Sequence, residues 1–314
     1  MRAYTIFDDY PSEAVERLKR AGMVLTVHPL GMPRPDDAQM EEILKDYECV
    51  IIGTSQKISE KMLASVDAPK LIVTASVGTD HIHIPDGKAG LITVVNTPGC
   101  NTLSAAEYVV GAMLLARKRV LEGAILYSEG RDNKKLVKKP EDLHGAVVGL
   151  VGAGRISTRI VELLQPFGVR IMCFTKNPEA HRELTDRFGA EFVTLDELAE
   201  QSDLIAVNIP YTESTHNLVD KKLVDAMKDT CVFVSISREQ VLDIHALEQK
   251  AKKCPNFYLI LDLDLNPEYS GMYNGRNIFI TPHIAGGTIE SRKRMFMEAA
   301  ERVIEYAKSH AVDK

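Results

Sequence analysis

Residues 146–157, with the sequence AVVGLVGAGRIS, constrain the fold more than any other part of the chain. An apolar segment of strand length comes first, a glycine-rich turn follows, and the next residues can begin a helix. Gly152 permits a tight turn out of the strand, and Gly154 has no Cβ, so the backbone there can approach a bound group closely. The free N–H groups and the positive dipole end of the helix favour a pyrophosphate. This order of elements indicates a dinucleotide-binding turn.

The glycine pattern is weak by itself and departs from the usual spacing at one position. Ser157 occupies the place of a third glycine, which permits close packing of helix on strand, and serine is the next smallest polar choice. The alternative interpretation is an ordinary glycine turn between a strand and a helix. Context separates the two, because a dinucleotide site requires a sheet of alternating strands and helices around the turn.

The composition is that of a globular protein with a large core. The chain has 314 residues, which favours two domains, and it is 45% hydrophobic and 26% charged. A net charge of −6 predicts no general affinity for nucleic acid, although a local basic pocket for an anion remains open. Acidic residues appear as early as Asp8 and Asp9, and no apolar run has membrane-spanning length. We therefore expect neither a signal peptide nor a membrane partner.

The cysteines and histidines indicate no metal site. The five cysteines are few, odd in number and without C-x-x-C pairs, so neither a disulfide framework nor a zinc site is predicted. His81 and His83 are two residues apart and have no third ligand signal. Unpaired cysteines suit a reducing compartment, and the simplest expectation is a cytoplasmic protein.

Two regions of alternating strands and helices predict two α/β domains. In residues 1–98 the predicted strands are Tyr4–Phe7, Val24–Val27, Val50–Ile52 and Leu71–Thr74. From residue 146 onward they are Val147–Val151, Arg170–Phe174, Leu204–Val207, Val232–Ser235, Tyr258–Leu261 and Ile278–Thr281. Alternation at this spacing predicts parallel sheets with helices on both faces.

Two helices are predicted outside these regions. One is long and apolar and runs from Ser104 to about Val120, and the other runs from Ser291 to about Ser309. We expect the second to return to the first domain, because chain termini commonly lie close together. The predicted domains are therefore residues 1–98 with 288–314, and residues 99–287.

The end of the second strand in the glycine-turn region bears on which dinucleotide is bound. Arg170–Phe174 runs into Thr175 and Lys176, where an NAD site commonly has a carboxylate that binds the ribose hydroxyls. A carboxylate repels a 2′-phosphate, whereas a hydroxyl and an ammonium group attract one. The sequence therefore favours NADP over NAD, and His181 and Arg182 add to this pocket if the loop folds back. The alternative is that Lys176 is solvated surface.

Several short motifs stand in a fixed order along the chain. They are Val77–Ile82, Asn96–Asn101, Ala106-Glu107, Gly152–Ile156, Ser235–Arg238, Leu261-Asp262 and Thr281–Gly286. Each is weak alone, but in this order they resemble the D-isomer-specific 2-hydroxyacid dehydrogenase family over nearly the whole chain. The segment Phe174-Thr175-Lys176 is similar to the NADP-using glyoxylate/hydroxypyruvate reductase branch.

The resemblance implies an α/β fold with two doubly wound parallel-sheet domains. One is a flavodoxin-like substrate domain (1–98 and 288–314), and the other is a Rossmann-type cofactor domain (99–287). It implies an NAD(P)-dependent oxidoreductase that reversibly transfers a hydride between the cofactor and a small 2-oxoacid or D-2-hydroxyacid. It also implies a homodimer.

The resemblance places a catalytic arginine at Arg238 and an acid–base histidine at His283. A planar guanidinium that stays charged can hold the substrate's carboxylate and carbonyl oxygen together. An imidazole titrates near physiological pH and can donate a proton during reduction and remove it during oxidation. We expect these two side chains to converge on one bound substrate, although they are far apart in the sequence.

The third catalytic residue of the family is a glutamate just before a proline. By direct count Pro267 stands in that position, and Glu268 follows one place later. A small loop shift would bring Glu268 to His283, where it would stabilise the imidazolium. Alternatively the partner is absent, and the activity is weak or altered. Glu239 also departs from the family, because a glycine usually follows the arginine.

The resemblance implies further binding residues. For the cofactor they are Gly152, Gly154, Arg155, Ile156, Thr175, Lys176, Pro210, Ile236, Arg238, Asp262, His283 and Gly286, and for the substrate Val77, Gly78, Asn101 and Arg238. Asp262 is expected near the nicotinamide carboxamide. The alternatives are a nucleotide-sensing regulatory protein on the same fold and a dehydrogenase of formate or phosphite. Retained nucleotide affinity without turnover of 2-oxoacids indicates the first, and reduction of NAD(P)⁺ by those small anions indicates the second.

Overall fold

The computed structural model describes residues 1–132, 139–272 and 276–311. Its strands are β1 Arg2–Thr5, β2 Val24–Val27, β3 Cys49–Ile52, β4 Lys70–Thr74, β5 Ile92–Asn96, β6 Val147–Val151, β7 Arg170–Phe174, β8 Glu191–Phe192, β9 Leu204–Val207, β10 Val232–Ser235, β11 Tyr258–Leu263 and β12 Ile278–Pro282. Its α-helices are α1 Ser12–Arg20, α2 Asp37–Asp46, α3 Glu60–Ala64, α4 Thr102–Arg117, α5 Val120–Ser128, α6 Arg155–Leu164, α7 Glu183–Phe188, α8 Leu195–Gln201, α9 Lys221–Ala226, α10 Ile244–Lys253 and α11 Ile289–Ala311.

The chain divides into two compact units. Unit 1 comprises Met1–Asn101 and Ile289–Lys314, and unit 2 comprises Thr102–Thr288. The unit boundaries fall at 101/102 and 288/289, whereas the sequence placed the domain boundaries at 98/99 and 287/288. Helix α11 belongs to unit 1, so this unit is built from both ends of the chain.

Unit 1 is a parallel sheet in the order β2-β1-β3-β4-β5, which is the flavodoxin-like order. The central strands β3 and β4 are buried along their whole length, as expected for a sheet covered on both faces. Helix α11 packs here through Phe296, whose ring lies 4.7 Å from that of Phe7. The hydroxyl of Tyr10 donates to the Phe296 carbonyl at 3.0 Å.

Unit 2 is a parallel sheet in the order β12-β11-β10-β9-β6-β7-β8. The strand order reverses between β6 and β9, and ligands of open α/β sheets bind outside the carboxyl ends of the strands at such a switch point. The glycine turn lies at the carboxyl end of β6, and Arg238 follows β10. The predicted fold class is confirmed, and both units contain the parallel sheets that it requires.

The long helix predicted from Ser104 to about Val120 is interrupted. Helix α4 ends at Arg117 and α5 begins at Val120, because Arg119 adopts a left-handed conformation with φ 55°. The side chain of Arg119 is buried, lies over the ring of Tyr258 at 4.4 Å and pairs with buried Glu122 at 3.5 Å. A buried charge requires such partners, and the pattern of apolar residues does not reveal them.

Two short strands were missing from the sequence prediction. They are β5 and β8, which lie at the edges of the two sheets. Strand β5 is mostly half-buried and β8 has only two residues, so neither has the long apolar run of a central strand. Among the described residues, no helix is both long and apolar enough to cross a membrane.

Candidate active site

The turn between β6 and α6 has the geometry expected of a phosphate-binding turn. Gly152 has φ 110°, and a Cβ there would lie 2.6 Å from Cγ2 of Ile209, so only glycine fits without strain. Gly154 is the N-cap of α6, and the space that its Cβ would occupy is open. Arg155 and Ile156 form the first turn of this helix. The N–H groups at the start of α6 can therefore donate hydrogen bonds to an anion.

Ser157 takes part in the turn through its hydroxyl. The side chain is buried, and its Oγ donates to the carbonyl of Gly152 at 2.6 Å. The same Oγ accepts from Nδ2 of Asn208 at 2.5 Å, which connects α6 to the loop after β9. A serine in place of the third glycine is compatible with close packing here because its polar atom is satisfied inside the turn.

Thr175 and Lys176 follow the carboxyl end of β7, next to β6 in the sheet. The ammonium group of Lys176 donates to the carbonyl of Ser214 at 2.9 Å, and the side chain is exposed. Pro210 is in the same loop as Ser214, and its carbonyl accepts from the hydroxyl of Thr215 at 2.9 Å. The ammonium group thus lies between the ends of β7 and β9, where a 2′-phosphate would meet a positive charge.

The loops after β9 and β10 are joined by one serine. Oγ of Ser237 donates to the carbonyl of Ile209 at 2.8 Å and accepts from the Ile209 N–H at 3.0 Å. Ile236 precedes it and donates its N–H to Val207 in β9. Arg238 follows as the N-cap of a 3-10 turn, so its backbone position is set by the two strands.

The structure brings Arg238, His283 and a third residue, Asp264, together. Nδ1 of His283 lies 2.6 Å from Oδ1 of Asp264, and Nε2 lies 3.3 Å from Nη1 of Arg238. A carboxylate only accepts and a guanidinium only donates, so in the neutral imidazole Nδ1–H donates to Asp264 and Nε2 accepts from Arg238. His283 has φ 52°, a left-handed conformation that histidine adopts more often than most residues.

Asp262 holds the turn that carries His283. Its side chain is buried, and its carboxylate accepts from the N–H groups of Ile284 and Ala285, each at 2.8 Å. It also accepts from the hydroxyl of Thr281 at 2.5 Å, and Tyr108 of α4 contacts the same hydroxyl at 2.6 Å. The carboxylate therefore orients the backbone on both sides of His283. Gly286 follows directly after this turn.

Glu268 lies elsewhere, which corrects the expectation that it pairs with His283. It is exposed, its N–H donates to Oδ1 of Asn266 at 3.0 Å, and it lines a surface cavity of about 520 Å³ with Asp243 and Met272. The 3-10 turn Pro267–Tyr269 begins at the proline, and Asn266 caps it. Glu239 also turns to this segment, because its carboxylate accepts from Nδ2 of Asn266 at 3.3 Å.

The sequence around Asp264 carries a signal for its position. The segment Leu261-Asp262-Leu263-Asp264 alternates apolar and acidic residues, and alternate residues of a strand point to the same face. Asp264 follows the end of β11, so it shares the side of the sheet on which Asp262 holds the 281–285 turn. Direct count along the chain from the family motif predicts Glu268 instead.

The substrate-binding residues predicted before α4 lie in unit 1. Val77 and Gly78 form a turn after β4, and Val77 is 44% exposed. The carbonyl of Gly78 accepts from Oγ of Ser76 at 2.7 Å, and that of Val77 accepts from Nδ2 of Asn96 at 2.6 Å. Asn101 is the last residue before α4. Both carbonyls of the turn already accept hydrogen bonds. An anion would therefore bind to the N–H groups of the turn.

The arrangement in unit 2 suits proton transfer next to an anion. Asp264 holds the imidazole in one orientation, while Arg238 supplies a fixed positive charge beside Nε2. A group that contacts both Arg238 and Nε2 can therefore be oriented and protonated at the same place. In the part of the chain that the structure describes, no cluster of three or more histidine, cysteine or acidic side chains could hold a metal ion.

Comparison with known proteins gives a consistent picture. A family model described as "D-isomer specific 2-hydroxyacid dehydrogenase, NAD binding domain" matches residues 110–285, more than half of the chain. A glyoxylate reductase of Thermofilum pendens is 30% identical over 301 residues, which cover 94% of this chain and 88% of that protein. A hydroxypyruvate reductase of Thermotoga maritima is 28% identical, with 84% of this chain and 86% of that protein covered.

The solved structures agree with the sequence relatives. The D-lactate dehydrogenase of Aquifex aeolicus, in complex with NAD and lactic acid, superposes with a TM-score of 0.77 at 26% identity. The match covers 98% of this chain and 96% of that one. The likeness extends over both units, and not only over the dinucleotide-binding part.

Proposed function

The chain belongs to the D-isomer-specific 2-hydroxyacid dehydrogenase family, and from this premise we propose that it reduces a small 2-oxoacid of the glyoxylate and hydroxypyruvate type with NADPH. It is an oxidoreductase that uses a nicotinamide cofactor. The residues of the β6–α6 turn fit a dinucleotide, since Gly154 leaves open space in front of the first N–H groups of α6.

One observation carries the proposal: Nε2 of His283 and the guanidinium of Arg238 lie 3.3 Å apart, and Asp264 lies behind the imidazole. Arg238 holds the carboxylate and carbonyl oxygen of the oxoacid with its planar fork of donors. From the family resemblance we also assign Val77, Gly78 and Asn101 of unit 1 to the substrate. The oxoacid is thereby held with its carbonyl oxygen toward His283.

His283 is the proposed acid and base. In its protonated form it donates the proton on Nε2 to the carbonyl oxygen as negative charge develops there. When bound, the nicotinamide supplies the hydride that the carbonyl carbon receives. Asp264 keeps the imidazole oriented and stabilises its positive charge, and it takes the role that the sequence assigned to Glu268. In the reverse direction Nε2 removes the proton from the hydroxyl group of the D-2-hydroxyacid.

The preference for NADPH is supported by the surroundings of Lys176. Its ammonium group is exposed and is held by a neutral carbonyl, that of Ser214, so its charge is free to attract a 2′-phosphate. Thr175 adds a hydroxyl. Arg182 is paired with Glu179 at 3.4 Å, so its charge is partly neutralised and attracts a 2′-phosphate less strongly. Pro210, Ile236 and Gly286 are also assigned to the cofactor. Asp262 contributes indirectly, because its carboxylate orients the 281–285 turn.

A cytoplasmic homodimer is the proposed state of the protein. All five cysteines are free, which suits a reducing compartment. Helices α4 and α5 expose apolar side chains, Leu115 at 38%, Val120 at 49% and Tyr127 at 86%, and apolar exposure of this kind suits a subunit interface. Light scattering coupled to size-exclusion chromatography tests the dimer, and a monomeric mass contradicts it.

The decisive experiment follows absorbance at 340 nm with NADPH and with NADH against glyoxylate, hydroxypyruvate, pyruvate and bulkier oxoacids. We expect turnover of the small oxoacids and a preference for NADPH. Nucleotide binding without turnover of any oxoacid favours a nucleotide-sensing protein on this fold. Reduction of NADP⁺ or NAD⁺ by formate or phosphite, without turnover of oxoacids, favours the other alternative.

A further inference from the structure

The loop of residues 29–36 in unit 1 is held in one conformation by a buried histidine. Nδ1 of His28 lies 2.7 Å from the hydroxyl of Tyr4, and Nε2 lies 2.9 Å from the carbonyl of Pro33. A carbonyl only accepts, so Nε2–H donates to Pro33 and Nδ1 accepts from Tyr4. His28 is 9% exposed, and burial raises the pKa of Tyr4. The loop is thereby attached to β1.

Two further contacts fix the ends of this loop. The N–H of Gly31 donates to Oδ2 of Asp8 at 3.1 Å, and this bond holds the pKa of the Asp8 carboxyl below its usual range. Pro35 is buried, and Asp36 then caps α2, where Oε1 of Gln39 accepts from the Asp36 N–H at 3.0 Å. Arg34 is therefore presented by a loop whose backbone is fixed on both sides of it.

The guanidinium of Arg34 is directed to the end of a neighbouring strand. It donates to Oγ of Ser55 and lies 5.8 Å from the centre of the Phe7 ring. Arg292 lies over the same ring at 5.7 Å, but it is paired with Asp9 at 2.7 Å. Within the described residues Arg34 has no carboxylate within ion-pair distance, so its charge is neutralised by no neighbour.

Ser55 lies beside the turn that the proposed function assigns to the substrate carboxylate. It follows β3, which is adjacent to β4, and the N–H of Ala75 donates to Ile52 at 2.8 Å. Beyond the strands the two loops remain paired, because Ile58 bridges to Ile82 in a parallel arrangement. Neighbouring strands are about 4.8 Å apart, so the loops carrying Ser55 and Gly78 are direct neighbours at one edge of the sheet.

We propose that Arg34 is a specificity residue that favours 2-oxoacids with a second anionic group, a carboxylate or a phosphate, at the end remote from the carbonyl. The inference rests on the proposed function and names the substrate class of the same site. The 77–78 turn offers N–H groups to one carboxylate, and Arg34 offers a planar fork of donors to a second anion at the same edge. Ser55 orients the guanidinium and can donate its own hydroxyl to that anion.

The test compares two matched pairs of substrates with wild type and Arg34→Gln. The first pair is 2-oxoglutarate and 2-oxoglutaramate, which differ by a carboxylate against a carboxamide, and the second is 3-phosphohydroxypyruvate and hydroxypyruvate. We expect wild type to have the higher kcat/KM for the member with the second anionic group in at least one pair. Arg34→Gln should lower that value about 10- to 100-fold, mainly through KM, as loss of a charge-assisted hydrogen bond predicts.

Controls separate this role from a structural one. Turnover of the members without a second anionic group should stay within about twofold in Arg34→Gln, and Arg34→Lys should recover part of the loss, since the charge is kept but the fork is lost. Arg20→Gln removes an equal charge from the C-terminal end of α1, which leads into the amino end of β2. This variant should leave kcat/KM unchanged for both members of each pair. The pair in which the preference appears identifies the anion as carboxylate or phosphate.

Three results overturn the proposal. They are equal kcat/KM for members with and without the second anionic group in wild type, an equal loss for both members in Arg34→Gln, and a loss in Arg20→Gln as large as in Arg34→Gln. In each of them the reduction of oxoacids still stands. Absence of turnover with all four substrates and with glyoxylate overturns the proposed function itself, and the specificity assignment with it.

Discussion

The carboxylate of Asp264 lies 2.6 Å from Nδ1 of His283, on the side of the imidazole opposite Arg238. The pair closes a chain of contacts from the carboxylate through the imidazole to the guanidinium. Since Asp264 is at the end of β11 and Asp262 in the same strand holds the 281–285 turn, one strand determines both the position and the orientation of His283.

Asp264→Asn is expected to lower kcat about 10- to 100-fold while nucleotide affinity is unchanged. The loss follows because the amide no longer stabilises the imidazolium, and a general acid contributes a factor of this size or more. The KM for the oxoacid should change much less than kcat, since Arg238 is untouched. Steady-state kinetics measures both quantities.

Glu268→Gln is the matched control for Asp264→Asn, because it neutralises a carboxylate only four residues later. We expect kcat and KM to equal those of wild type. If Glu268→Gln loses as much activity as Asp264→Asn, or if Asp264→Asn keeps the wild-type kcat, the assignment of Asp264 as the positioning residue is refuted.

His283→Ala is expected to reduce kcat by a factor of about 10² to 10⁴. The proton donor is lost, but the β6–α6 turn that we assign to the nucleotide is untouched, so the Kd for NADPH should change less than threefold. Fluorescence titration of NADPH and single-turnover kinetics separate the two quantities. Turnover at the wild-type rate would remove His283 from the mechanism.

Lys176→Asp is expected to move the coenzyme preference from NADPH toward NADH. An aspartate repels a 2′-phosphate and accepts from ribose hydroxyls, and loss of one or two bonds to a charged group corresponds to about 1.5–3 kcal/mol each, or a factor of ten or more in kcat/KM. Lys222→Asp, on an exposed face of α9, serves as a control. An unchanged ratio of the two kcat/KM values in Lys176→Asp contradicts our interpretation of this residue.

Asp203→Asn is expected to destabilise unit 2 at neutral pH and much less in acid. Burial raises the pKa of the Asp203 carboxyl, whereas hydrogen bonds from Lys228 Nζ at 2.8 Å and the Val147 N–H at 2.9 Å lower it. The lowering is the larger effect, so the pKa lies below its usual value. A lowered folded-state pKa gives stability above the unfolded value of about 3.9 and loses it as the pH falls through the folded value.

The free energy of unfolding, from urea titrations between pH 7 and pH 3, should therefore differ by about 2 kcal/mol between wild type and Asp203→Asn at pH 7. The difference should shrink below about pH 3.9. Asp196→Asn breaks an exposed pair with Lys222 and should change the free energy by less than about 1 kcal/mol. A difference that is the same at pH 7 and pH 3 contradicts the role of the Asp203 carboxylate.

Much of the fold could be predicted because its signals are local. The strand, turn and helix of residues 146–157 are neighbours in the chain, and the alternation of strands and helices on both sides predicted two parallel-sheet domains. The interruption of the helix at Arg119 could not be predicted, because the cause is contact with Tyr258, far away in the sequence. The edge strands β5 and β8 lacked the apolar pattern that identifies buried strands.

By itself the sequence determined the parallel-sheet fold class, the glycine turn and the prediction that Arg238 and His283 act together, since these follow from residue order and from motif resemblance. Only the tertiary structure decided which carboxylate faces His283 and which guanidinium meets Ser55. The choice between Asp264 and Glu268 depends on the path of one loop after β11. Arg34 follows β2 and Ser55 follows β3, so their contact depends on the position of these two strands on either side of β1. Both depend on contacts between segments that are distant in sequence, and spacing along the chain does not specify such distances.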